Sequence, residues 1–170
     1  MGFLKCALYL STIGVLSFFL GRILPKRWIR GESFPFRTYE TEDRFYRLIR
    51  VRLWQNKLPD MSKLFPALMP PKNLSGSYRD RLPVMIRETC VAEITHILLA
   101  ILGFRCIAIW QGAGGVILSF LFCFGNLPFV MIQRYNRPKL IRLEKWTEAR
   151  RITESAEPEQ PVREVQECER

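Results

Sequence analysis

The sequence predicts an all-α integral membrane protein: about three transmembrane helices, the last two a C-terminal helical hairpin, plus a basic amphipathic juxtamembrane helix. Three observations lead there. The apolar residues, 48% of 170, are gathered into blocks instead of recurring at the intervals a soluble core requires. Each block is long enough for the ~30 Å hydrocarbon layer of a bilayer at about 1.5 Å per residue. The Lys and Arg residues, which leave a net charge of +10 and a pI near 9.8, crowd mostly beside the blocks, with only Lys5, Arg22 and Arg105 within them.

The first block covers residues 3–24, with Lys5 and Arg22 its only charges. A cleaved signal peptide is the rival reading. No small-x-small cleavage site follows Phe18-Phe19, and Lys26, Arg27 and Arg30 come at once, so a retained anchor is expected. The second block covers residues 89–110 and the third 114–132, joined by an uncharged, Gly-rich link fit for a hairpin turn. Residues 22–87 hold 15 Lys/Arg and residues 134–151 another 7. The excess of positive charge marks both stretches as cytoplasmic and places the N-terminus and the short link outside. Anionic membrane lipids are the expected partners of that charge. No nucleic-acid motif accompanies it, and no nucleic-acid partner is expected.

The cytoplasmic basic segment, residues 25–88, includes DRFYRLIRVRLWQNKL (43–58), in which Phe45, Leu48, Ile49 and Leu53 fall near helical spacing among Arg44, Arg47, Arg50 and Arg52. This pattern predicts a helix in the headgroup layer, with Thr41 or Asp43 able to cap it and Pro59 ending it. It serves either as a substrate-binding floor or as a solvated connecting helix. A Pro-rich connection follows. The membrane domain is expected to span residues 1–151; residues 152–170, with 6 Glu against 2 Arg and few bulky apolar side chains, read as a disordered acidic tail. The five cysteines show no C-x-x-C spacing and read as small apolar residues, so neither a disulfide framework nor a metal site is expected.

Glu93 and His96 stand inside the second span. Three residues apart, they share one helix face, and ionisable residues in spans face a bundle interior or a water-filled cavity. His96 is the only histidine. Counted from Arg87, the pair lies about 9 to 14 Å into the span. The third span descends toward the same membrane face and ends in Gln133, Arg134, Tyr135, Asn136 and Arg137, with Asn126 just above. A hairpin thus brings two polar sets together. Packing and positive-inside anchoring are the bland explanations; the chemical one is group transfer. A histidine can take a proton from an attacking hydroxyl, a carboxylate can fix its tautomer, and Arg134 or Arg137 can hold a phosphate or an oxyanion. Asn126, before Pro128, can supply an amide donor.

ETCVAEITH (88–96) followed by NLPFVMIQRYNRPKL (126–140) resembles the paired signature of the glycosyl-4,4'-diaponeurosporenoate acyltransferase family, and RVRLWQNKLPD (50–60) is similar to its basic juxtamembrane motif. The likeness covers most of residues 40–143. It implies a bacterial, multi-pass cell-membrane enzyme that transfers a fatty acyl group to a sugar hydroxyl of a glycosylated carotenoid lipid. The matching positions are Glu93, His96, Asn126, Pro128, Gln133, Arg134, Tyr135, Asn136, Arg137 and Pro138. Together the readings make His96 the general base and Glu93 its orienting partner. Asn126 and the 133–137 cluster become the substrate-binding set, an acyl thioester the donor, and no cofactor is expected. A non-catalytic membrane scaffold for lipid-synthesis enzymes is the alternative.

Overall fold

Residues 2–23 wind into a helix that shows its large side chains to the outside. In this helix, α1 (Gly2–Ile23), Phe3, Leu4, Leu8, Leu16 and Phe19 are all exposed. So extended an apolar surface is unfavourable in water and, on a helix long enough to span a bilayer, fits hydrocarbon. The structure is a computed structural model that describes residues 1–23, 29, 31–58 and 78–156. Its other elements are α2 (Glu40–Leu48), α3 (Val51–Trp54) with a 3₁₀ turn over Gln55–Lys57, α4 (Tyr78–Gly103), α5 (Cys106–Ile109) and α6 (Ala113–Ala156). Among the described residues there is no strand. Among the described residues three stretches are long and apolar enough to cross a membrane: Gly2–Gly21, Arg79–Ile109 and Ala113–Thr153.

The hairpin of α4 and α6 forms the centre. Its turn depends on Gly112, whose φ of +99° lies in the left-handed region that side chains disfavour. At Gly115 an added Cβ would stand 2.0 Å from the Trp110 carbonyl oxygen. The second span is not the single helix expected over 89–110. It stops at Gly103, where the amides of Phe104 and Arg105 tighten onto the carbonyls of Ile101 and Leu102. The buried Ser119 hydroxyl donates to the Gly103 carbonyl at 3.1 Å, satisfying a group that the helix end leaves open. Helix α1 runs antiparallel to α4. Its Phe3 ring meets Trp110 edge-on at 6.2 Å, Tyr9 Oη donates to the Leu102 carbonyl at 3.1 Å, and Gly21 lies against Val91 and Thr95.

Three boundaries differ from the sequence expectations. Helix α6 does not end near 132; it continues through Pro138 to Ala156, and just past 132 ion pairs from Arg134 and Arg137 to α4 and α2 take the place of apolar packing on its inner face. The first five residues of the expected disordered tail are therefore helical, and 157–170 lie outside the described residues. The basic helix begins at Glu40, after an extended Tyr39 with no side-chain cap, so Thr41 and Asp43 sit inside its first turn and cap nothing. It also breaks: Arg50 is left-handed at φ 51°, and Trp54 Nε1 donates at 3.0 Å to the Ile49 carbonyl that the break exposes. Leu58 is extended, as the residue before a proline prefers; Pro59 and the Pro-rich connection lie outside the described residues.

Candidate active site

The inner faces of α4 and α6 carry two polar layers, one helical turn apart on α4. The outer layer is an ion cluster around Glu93, which is 3% exposed. Arg134 Nη1 donates to Glu93 Oε1 at 2.6 Å, and Arg137 Nη2 donates to Glu93 Oε2. Arg134 also grips Glu42 of α2 with a two-pronged contact, Nε to Oε2 at 2.9 Å and Nη2 to Oε1 at 2.8 Å. Its remaining hydrogens reach the carbonyls of Pro35 and Arg37. Arg137 is fully buried. Its Nε donates to Thr89 Oγ1 at 3.0 Å, Nη1 to the Phe36 carbonyl at 2.7 Å and Nη2 to the Thr89 carbonyl at 3.2 Å, while the Phe36 ring covers its guanidinium.

Two carboxylates and two guanidiniums make this layer neutral as a whole. Charge-assisted, forked contacts are the strong kind, and burial makes each partner indispensable to the others. The segment before α2 is held close over the cluster. A Cβ on Gly31 would come within 2.6 Å of Ile86 Cγ2 and 3.3 Å of Arg137 Cδ, so only glycine fits there.

The inner layer is smaller. His96 Nδ1 stands 2.9 Å from Asn126 Oδ1, and Asn126 Nδ2 donates to the Phe122 carbonyl at 2.8 Å. The imidazole stacks on Phe129, ring centres 4.7 Å apart and planes 10° from parallel. Asn126 is buried and His96 half-buried. Nε2 of His96 has no hydrogen-bond partner among the described residues.

These contacts correct three expectations. Glu93 does not orient His96: both its oxygens are taken by arginines, and Asn126 occupies Nδ1 instead. Although Glu93 and His96 share a face, α6 presents its arginines to one and its amide to the other. Arg134 and Arg137 are likewise not open to a substrate phosphate or oxyanion, since their hydrogens are spent on Glu93, Glu42, Thr89 and backbone carbonyls, and Arg137 has no exposed surface. Nor is Asn126 a free amide donor, its Nδ2 being committed to Phe122.

The rest of the expected set remains accessible. Gln133, two turns from Asn126 on the same face, and Asn136 are half-buried and have no hydrogen bond among the described residues. Tyr135 meets Tyr46 edge-on at 6.2 Å and carries the Lys139 ammonium over its ring. It lines a cleft of about 150 Å³ between α2 and α6, together with Tyr39, Glu42, Tyr46, Arg134 and Arg142. Burial, and then the Glu42 carboxylate, push the Tyr46 phenol up to about 12, so it stays protonated and donates to Glu42 Oε2 at 3.4 Å. A larger groove of about 570 Å³ lies at the other end of the hairpin, along Tyr9, Leu102, Phe104 and Ile107; it contains none of these groups. Among the described residues no cluster of His, Cys, Asp and Glu is placed to hold a metal ion.

Glu42 and Thr89 were not singled out from the sequence. Glu42 had a signal: Glu40, Glu42 and Asp43 form an acidic knot in a strongly basic segment, and buried arginines need carboxylates. Thr89 had none, because a threonine opening a span is unremarkable.

Comparison with known proteins bears on the same region. Residues 25–145 match the family described as glycosyl-4,4'-diaponeurosporenoate acyltransferase. Three relatives carrying that description, from Staphylococcus aureus strains MRSA252, N315 and USA300, are each 26% identical over 147 residues, covering 81% of this chain and 85% of theirs. No solved structure matches.

Proposed function

The chain belongs to the glycosyl-4,4'-diaponeurosporenoate acyltransferase family, and from that premise we propose that it is a membrane O-acyltransferase. It moves a fatty acyl group from an acyl thioester to a sugar or other hydroxyl of a lipid, an acceptor resembling a carotenoid glycoside. The observation that carries the reading is His96: the only histidine, half-buried between two spans, bonded through Nδ1 with Nε2 unengaged among the described residues.

In this reading Nε2 takes the proton as the acceptor oxygen attacks the thioester carbonyl carbon. A tetrahedral intermediate forms, the C–S bond breaks, and the imidazolium returns the proton to the departing thiolate. The products are an ester and a free thiol. General-base help of this kind contributes about 10²- to 10⁴-fold. Glu93, Arg134, Arg137 and Glu42 hold α2, α4 and α6 in register, while Gln133, Tyr135 and Asn136 meet the substrates. The α2/α6 cleft, with its phenols, carboxylates and arginines, offers hydrogen-bond donors and acceptors that suit a hydroxyl-rich head. The Lys/Arg distribution supports placing this end at the cytoplasmic face of a bacterial cell membrane with the N-terminus outside.

The test uses the full chain in liposomes, with a glycosylated polyene-carboxylate lipid as acceptor and long-chain acyl groups carried on coenzyme A or on acyl carrier protein. Mass spectrometry is expected to show the esterified acceptor with at least one donor. Absence of product with both contradicts the proposal.

A further inference from the structure

We infer that Asn126 is the positioning residue of the site: it holds His96 in the tautomer with hydrogen on Nδ1, which leaves the Nε2 lone pair as the proton acceptor. The use made of that lone pair rests on the acyltransferase reading; the tautomer does not.

The assignment follows from donor and acceptor logic. A backbone carbonyl only accepts, so the Asn126 atom 2.8 Å from the Phe122 carbonyl is the amino group, Nδ2. The opposite orientation would set two carbonyl oxygens against each other. Oδ1 is thereby turned toward His96 Nδ1 at 2.9 Å, and an amide oxygen also only accepts. The hydrogen between them belongs to Nδ1. A neutral imidazole has one N–H, so Nε2 is bare.

The surroundings reinforce this. Phe129, one turn along α6 from Asn126, lies parallel to the imidazole and restrains rotation of the ring away from the amide. Glu93 is the carboxylate nearest to His96 along α4, yet its two oxygens are held by Arg134 and Arg137, so it is not available to the imidazole. One residue on α6 therefore sets the plane, its neighbour sets the tautomer, and the ion cluster keeps the carboxylate occupied. A carboxylate need not orient the base when an anchored amide is present.

Because the chain has one histidine, ¹⁵N NMR of histidine-labelled protein in nanodiscs reads the tautomer without ambiguity. The expected spectrum has a protonated, pyrrole-type Nδ1 and an unprotonated, pyridine-type Nε2. Asn126→Leu is expected to lose that preference and move population toward the Nε2–H form; Asn126→Asp, which gives up the bond to the Phe122 carbonyl but can still set an oxygen against Nδ1, is expected to retain hydrogen on Nδ1. Turnover by Asn126→Leu should fall about 10-fold or more, within the range of general-base help, through kcat more than KM. A wild-type Nε2–H tautomer overturns the inference, as does an unchanged tautomer in Asn126→Leu. Should that variant fail to fold, the wild-type spectrum decides by itself. An Nδ1–H histidine in a protein without acyl transfer would support this assignment while contradicting the function proposed above.

Discussion

Glu93 and His96 are separated by one helical turn and face the same partner helix, but their surroundings differ in kind. Around Glu93 the carboxylate oxygens and nearly every guanidinium hydrogen have partners, drawn from α2, α4, α6 and the backbone before α2. Around His96 the contacts come from α6, and one ring nitrogen is left over among the described residues. A saturated buried network fixes a fold, because each group is costly to leave unpaired; an unsaturated one has an atom to offer. Residue type did not separate the two layers, since glutamate, arginine and histidine are all common in catalytic sites. Saturation did.

Changes to the two layers should therefore fail in different ways. The largest effect is expected from Arg137→Leu, which leaves Glu93 with one arginine and strips Thr89 and the Phe36 carbonyl of their donor. Breaking a buried pair costs about 3 to 5 kcal/mol, so this variant should melt far earlier or not accumulate in folded form, as thermal unfolding in detergent would show. Glu42→Gln loosens the rim of the same cluster. Glu42 and Arg134 retain some exposure, with side chains 26% and 19% accessible, so the expected loss is about 1 to 2 kcal/mol. It should appear as faster hydrogen exchange over Glu40–Leu48 and little change across the spans. Trp54→Phe removes the hydrogen bond to the Ile49 carbonyl and should cost about 1 kcal/mol, seen as local exchange at the break between α2 and α3.

Tyr46 gives the smallest and most conditional effect. Its phenol is raised from 10.0 to about 12, so the folded chain holds this proton more tightly than the unfolded one. The associated stability is fully present below pH 10 and is lost as pH rises from 10 toward 12. Tyr46→Phe should flatten that part of the stability profile. A profile unaffected by the substitution would detach Tyr46 from the docking of α2.

The amino-acid pattern made the membrane blocks readable, because uninterrupted apolar runs of about 20 residues match the thickness of a bilayer's hydrocarbon layer. Gly112 and its neighbours announced the hairpin, and the spacing of Glu93 and His96 announced their shared face. Partner choice was not legible. Whether Glu93 meets an imidazole or a guanidinium depends on the register of α6 against α4, which the packing between the helices sets. The polar run from Gln133 to Arg137 looked like the end of a span, yet those arginines extend the helix inward by pairing with Glu93 and Glu42. Asn126 was visible as a polar residue in a span. Its bond back to the Phe122 carbonyl, which turns a generic amide into an oriented acceptor, belongs to side-chain geometry that no spacing encodes.

The central claim is that chemistry resides in the His96 layer and architecture in the Glu93 cluster. Acyl transfer by folded His96→Ala protein in liposomes, measured as ester formed per folded molecule, tests it most directly. The expected result is a chain that folds like the wild type with turnover reduced about 100-fold or more; turnover near the wild-type rate would contradict it.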